Sequence, residues 1–253
     1  MQLVHYFQRV STHEFLNKLG RLLRENKLAK IIEIIVVFLL AFLIIVTFKS
    51  NEASNLVYNQ VVIWLANIVM LSIVFIGIKL RGEGLSQFGF SFKKITWRIG
   101  FKIFFQSIIV FILALSGFII GSIIMANIIG IPESSDMGSY NYLKDNLGML
   151  LLTLFGTYIV ASFGEEVIYR AFLINRISEL GLSSKTGKII AVVISAVVFG
   201  LAHYTWGLMG IVQTGFMGLA LGFCYLKLKK RIWVLILAHA YMDTILMLQL
   251  YLS

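Results

Sequence analysis

One proline, Pro132, and one cysteine, Cys224, occur among the 253 residues of the chain. A single thiol within an apolar run leaves no disulfide framework and no C-x-x-C redox pair, and it carries no information about compartment. Charge is also scarce: charged residues are 13% of the chain and hydrophobic ones 59%, against roughly 25% and 45–50% in soluble domains. No internal repeat, low-complexity tract or interdomain linker breaks the pattern. These absences exclude a disulfide-stapled secreted domain and a water-soluble globular one, and a membrane protein is the direct reading.

Apolar stretches long enough to approach or cross the ~30 Å hydrocarbon core fall near residues 31–48, 56–78, 103–131, 147–164, 188–204, 208–226 and 232–251. The expected fold is therefore all-α, a polytopic membrane helical bundle of about seven transmembrane helices. The first stretch follows a charged segment and lacks an A-x-A cleavage pattern, so it reads as an uncleaved anchor. A formal charge of +10 would suit nucleic acid if it were clustered, but the basic residues alternate between connections. Arg9, Lys18, Arg21, Arg24, Lys27 and Lys30 precede the first span, and Lys79, Arg81, Lys93, Lys94, Arg98 and Lys102 lie between the second and third. Arg176, Lys185 and Lys188 separate the fourth and fifth, and Lys227, Lys229, Lys230 and Arg231 the sixth and seventh, whereas the other side has only Lys49 and Lys144. Positive-inside bias places the N-terminus in the cytoplasm and the C-terminus outside a cell membrane. The charge encodes topology: the partner it points to is the lipid bilayer, not nucleic acid.

Three regions follow. Residues 1–30 form a cytoplasmic amphipathic segment in which Phe15, Leu16, Leu19, Leu22 and Leu23 make one stripe, as expected of an interfacial helix. Residues 31–146 hold the N-terminal membrane helices and loops, and 147–253 a core carrying the chemistry. Ser91 to Lys102 reads as a basic, aromatic surface segment, and Pro132 to Asn146 as the connection most prone to disorder. Gly117 with Gly121, and Gly218 with Gly222, have the small-xxx-small spacing that allows close helix approach. Trp64, Trp97, Trp206 and Trp233 read as interfacial belt residues.

Glu165 and Glu166 interrupt or end the fourth span within Ala161-Ser-Phe-Gly-Glu-Glu-Val-Ile-Tyr-Arg170. A charge at the centre of a bilayer helix costs about 2.5–3.5 kcal/mol even on the lenient insertion scale, and adjacent carboxylates repel as well. Glu166 and Arg170 share a face at i, i+4 and can pair, while Glu165 points about 100° away and keeps a free carboxylate suited to a general base acting on water. The two histidines beyond the N-terminal segment, His203 and His239, both lie in apolar spans. If Gly181 to Gly187 is the turn of a helical hairpin centred at residue 184, Glu165 and His203 stand nineteen positions on either side and reach similar depth. His239 and Asp243 share a face at i, i+4. Each residue also has a plain structural reading: a locking ion pair for Glu166 and Arg170, a snorkelling carboxylate for Glu165, a helix–helix hydrogen bond for either histidine. Their coincidence favours function.

Glu165-Glu166-x-x-x-Arg170, Phe199-x-x-x-His203 and His239-x-x-x-Asp243 resemble, in order, the three motifs of the CPBP family, the CAAX proteases and bacteriocin-processing enzymes also called Abi proteins. The resemblance covers about residues 147 to 250. It implies intramembrane peptide-bond hydrolysis in a peptide or membrane-protein substrate, with a role in peptide processing or bacteriocin self-immunity. In that scheme Glu165 and His203 activate water, His239 and Asp243 stabilise the tetrahedral oxyanion, and Glu166 and Arg170 orient the first motif. This sequence departs at Ala171, where the family commonly has glycine, and at Asp243, a place often held by asparagine. An ionised aspartate would repel an oxyanion, which favours an indirect role in holding His239 as a donor.

Glu165, His203 and His239 also make the His₂Glu type of catalytic zinc site, so Zn²⁺ or another divalent metal is one expectation. No H-E-x-x-H occurs, and a metal-free mechanism uses the same residues. A proton- or ion-coupled transporter and a non-catalytic immunity or scaffold protein are the alternatives. Neither G-x-S-x-G nor a rhomboid-like serine and histidine arrangement is present, which disfavours serine chemistry. One tension remains: His203 falls near the outer end of its span and His239 near the cytoplasmic start of the last. A shared site requires the 171–187 hairpin to protrude and the fifth span to be short or bent.

Overall fold

The computed structural model describes residues 2–52, 54–90, 96–130 and 138–252, with side chains from residue 14 onward. A first helix, α1 (Gln2–Glu25), ends at Asn26. Seven helices long and apolar enough to cross a membrane follow: α2 (Lys27–Phe48), α3 (Leu56–Leu80), α4 (Trp97–Ile129), α5 (Leu147–Ser178), α6 (Lys185–Ala202), α7 (Gly207–Lys227) and α8 (Ile232–Leu252). The all-α polytopic reading stands. Hydrocarbon offers no partner for open backbone groups, so a spanning segment must bond within itself, and its first turn needs side-chain acceptors. Asn26, Asn146 and Ser184 supply them, accepting from Ala29, Met149 and Gly187 backbone N–H groups at 3.0, 3.1 and 3.0 Å.

Basic connections gather at one end of the bundle, called here the basic face. Arg24 donates to the carbonyl of Arg81 at 2.9 Å, Lys30 pairs with Glu179 at 3.0 Å, and the Lys230 ammonium approaches the Gln87 carbonyl at 3.5 Å. These are not all solvated topology charges. Arg81 and Arg176 are buried and knit Glu33 of α2 to Glu83 beyond α3: Arg81 pairs with Glu33 and, at 2.7 Å, with Glu83, and Arg176 reaches Glu33 at 3.1 Å and Glu83 at 3.5 Å. Burial pushes the Glu83 carboxyl above its usual range against the pull of Arg81. Phe15, Leu16 and Leu22 of α1 face outward, as an interfacial helix would present them.

The glycine spacings mark helix contacts. Helix α7 sits between α4 and α6, and a β-carbon on Gly121 would stand 2.9 Å from the Gln213 Cα, one on Gly222 2.7 Å from a methyl of Val192. Only glycine lets the backbones approach so closely, and in lipid such van der Waals contact is the main attraction between helices.

Several local expectations change. Residues 91–95 of the Ser91 to Lys102 segment lie outside the described residues, and from Trp97 the chain is already the first turns of α4. In the Pro132 to Asn146 connection, 131–137 lie outside the described residues, but Gly138–Leu143 is a 3₁₀ helix and ordered. Leu143 is fully buried against Leu150 and Met247, which ties this turn to α5 and α8. Trp97 is exposed as a belt residue should be, whereas Trp233 packs edge-on against Phe90 at 5.7 Å. Trp64 and Trp206 line an internal cavity.

Candidate functional site

The middle of α5, Tyr158–Ile174, is wound as a π-helix. This i→i+5 winding is rare and concentrates at functional sites. It carries Ser162, Glu165, Glu166 and Arg170. Ser195 of α6 donates to the Tyr169 carbonyl at 2.8 Å, and Tyr169 packs on Phe199 with ring centroids 5.0 Å apart. Phe38 of α2 closes on Tyr169 at 5.8 Å. These contacts seat α6 and α2 on either side of the π-segment.

Glu166 is fully buried, and its Oε1 stands 3.0 Å from Arg170 NH1, the ion pair expected from the spacing. The same oxygen accepts from Nδ1 of His239 at 2.8 Å. Sequence reasoning gave the task of holding His239 to Asp243; the structure gives that contact to Glu166, on a different helix. Asp243 Oδ1 is 3.8 Å and Glu165 Oε2 3.9 Å from His239 Nε2, so three carboxylates surround one imidazole. The ionisable groups facing it are Glu165, Glu166 and Asp243, with Arg170 beside Glu166. Arg170's terminal nitrogens meet no well-aligned acceptor among the described residues. Its guanidinium instead lies over Phe199, 4.3 Å from the ring centroid, a cation–π contact.

His203 ends α6, and its Nδ1 lies 2.8 Å from the Phe199 carbonyl. A carbonyl only accepts, so Nδ1 carries a proton, and in the neutral ring Nε2 is the acceptor. Phe199 stands between the two histidines, 4.8 Å from His203 and 6.2 Å from His239 by ring centroids. The depth tension resolves through unequal helix starts. At about 1.5 Å per residue Phe199 lies about 21 Å along α6, and His239 about 10 Å along α8. The connection before α6 therefore extends about 10 Å further from the site. Helix α6 is short, 18 residues, and unbroken, so the span does not bend.

Glu165, His203, His239 and Asp243 all line one cavity of ≈ 580 Å³. Its other walls are mostly apolar and aromatic, with Met70, Met217 and Met242 among them and a few polar side chains such as Asn67 and Thr214. Three contributors escaped sequence reasoning. Ser162 is buried and donates its hydroxyl to Asp243 Oδ2 at 2.6 Å. Trp206 stacks edge-on to His203 at 5.0 Å and hydrogen-bonds Tyr140, whose hydroxyl burial holds more strongly protonated than an exposed phenol's. Ser162 stands three residues before Glu165 and Trp206 three after His203, so proximity to the motifs was the one available signal.

Among the described residues no three His, Cys, Asp or Glu side chains are grouped around one point. The histidine Nδ1 atoms bond to the Phe199 carbonyl and to Glu166, an arrangement that also orients metal-binding imidazoles, and Nε2 of His239 faces Glu165 and Asp243. Glu165, His203 and His239 are the residues that would hold a divalent metal.

Residues 147–245 match the family model of Rce1-like proteins, type II CAAX prenyl endopeptidases. The matched segment runs from the start of α5 into α8 and contains every motif residue. It agrees with the CPBP and CAAX-protease resemblance read from the motifs. No curated protein and no solved structure matched the chain.

Proposed function

We propose that this multi-pass membrane protein is an intramembrane endopeptidase of CAAX-protease type that hydrolyses a peptide bond of a membrane-associated substrate. The observation that carries the reading is the meeting, in one largely apolar cavity, of a carboxylate, a histidine that in its neutral form accepts at Nε2 and a second histidine braced by a buried glutamate. Glu165 is assigned as general base for water, with Nε2 of His203 as the second acceptor for its protons. A proton on His239 Nε2 would face Glu165 and Asp243, and the ring would then offer a donor to the developing oxyanion. Glu166 is a positioning residue, bracing His239 while paired to Arg170. Asp243, held by Ser162, acts through that ring rather than by contacting the oxyanion. Under the positive-inside rule the basic face is cytoplasmic and the C-terminus lies outside the cell membrane.

The test is purified protein assayed against prenylated, leader-type and bacteriocin peptides. Glu165→Gln and His203→Ala should each lower kcat by about 10²–10⁴-fold, the usual range for removed acid–base catalysis. Cleavage at wild-type rate in both variants would sink the mechanism.

A further inference from the structure

The cavity is not symmetric between the two faces of the bundle. On α2 its lining starts at Phe38 and continues to Lys49, at the end of the helix, and it takes in Gln60 near the start of α3, Thr205 beyond α6 and Gln249 near the end of α8. These four polar positions belong to the face opposite the basic one. None of the buried cluster at the basic face, Glu33, Arg81 or Arg176, lines it. On that side Arg170, Phe199 and the rest of residues 166–174 of the π-segment are buried. On the flank, the lining residues Phe42, Leu201 and Ile245 are exposed at the outer surface of the bundle. The route to Glu165 therefore runs from lipid and from the face that carries the C-terminus.

Charge identifies what arrives. Lys49 is the one lysine or arginine lining the cavity among the described residues, and it is half-buried at its rim. It lies eleven residues beyond Phe38, about 16 Å along α2, while Phe38 rests on Tyr169, one turn from Glu165. An extended segment of a few residues bridges that interval.

We propose that the substrate is a peptide presented at the face opposite the basic loops, its apolar flank in lipid and an anionic end received by Lys49. This rests on the peptidase reading for the chemistry, but the access route and Lys49 can be tested without turnover. In a Cys224→Ser background, Gln60→Cys and Thr205→Cys in sealed vesicles should react with a membrane-impermeant maleimide from the same side as a C-terminal tag. Lys229→Cys should react from the other side. Labelling of Gln60→Cys and Thr205→Cys from the Lys229 side would overturn the route.

The second arm uses the Glu165→Gln variant, which need not cleave. A lipidated peptide with an acidic end should protect Thr205→Cys from labelling better than the same peptide with that end amidated. Lys49→Gln should abolish the difference, about two- to fivefold for a partly exposed ion pair. Equal protection by both peptides with Lys49 intact would overturn the anionic end. In active protein, Lys49→Gln should raise KM for the acidic peptide with kcat unchanged. Correct labelling and protection with no cleavage of any peptide would instead sink the peptidase reading and leave the route standing.

Discussion

Glu166 Oε1 and His239 Nδ1 stand 2.8 Å apart, buried, 73 positions from each other in the chain. The same oxygen lies 3.0 Å from Arg170. One carboxylate thus links the π-wound segment of α5 to the last helix and sets the angle of an imidazole in the cavity. Glu166→Gln keeps an acceptor but removes the charge. It should lower kcat by about a hundredfold, the scale of a misplaced group near the chemistry, with KM nearly unchanged. A role confined to folding would lower the amount of folded enzyme and leave its kcat per active molecule intact, so active-site titration separates the two.

Ser162 donates to Asp243 across 2.6 Å. Ser162→Ala leaves a buried carboxylate short of one hydrogen bond, a loss of about 1–3 kcal/mol, and activity should fall about tenfold or more. Asp243→Asn preserves an acceptor for the serine and should retain more activity than Asp243→Ala. Equal activity of all three variants with wild type would remove both residues from the site.

Among the described residues no three His, Cys, Asp or Glu side chains are grouped around one point. Purified, metal-depleted protein should keep its peptidase activity in the presence of a chelator. Loss that stoichiometric Zn²⁺ restores would show that the side chains regroup around an ion.

At the basic face, Arg176 is buried between Glu33 and Glu83. Arg176→Met leaves Glu33 and Glu83 with Arg81 as their one buried partner, and should destabilise the protein by about 3–5 kcal/mol, as broken buried pairs do. Lys229→Met, in the exposed turn before α8, should change little. Thermal unfolding in detergent reads the contrast, and equal midpoints would contradict it.

Glycines divide by what faces them. At Gly121 a β-carbon would press on the Gln213 backbone, whereas at Gly215 the nearest atom is 3.8 Å away. Gly121→Ala should destabilise by about 1–3 kcal/mol through overpacking. Gly215→Ala should be neutral or stabilising by up to about 1 kcal/mol from helix propensity. The same unfolding measurement decides it.

Much of this molecule was legible in one dimension because the bilayer imposes one-dimensional rules. A helix in hydrocarbon must be long, apolar and internally bonded, so seven apolar stretches became seven helices, although the fourth runs on to Ser178, past its expected end at 164. Periodicity alone placed Arg170 beside Glu166 and brought Gly121 and Gly222 to helix contacts. Buried charge is costly enough that Glu165, Glu166, His203 and His239 stood out against an apolar background.

Tertiary structure decided what no spacing encodes. Which carboxylate braces His239 depends on the rotation of α8 against a π-wound α5, and nothing local distinguishes Glu166 from Asp243 as the partner. The burial of Arg81 and Arg176, and the places of Ser162, Trp64, Trp206 and Tyr140, depend likewise on segments far apart in the chain. So does the depth of His203, which a short α6 starting further from the site delivers without a bend. Each follows from packing helices at particular heights and angles, where the energy lies between elements rather than along any one of them.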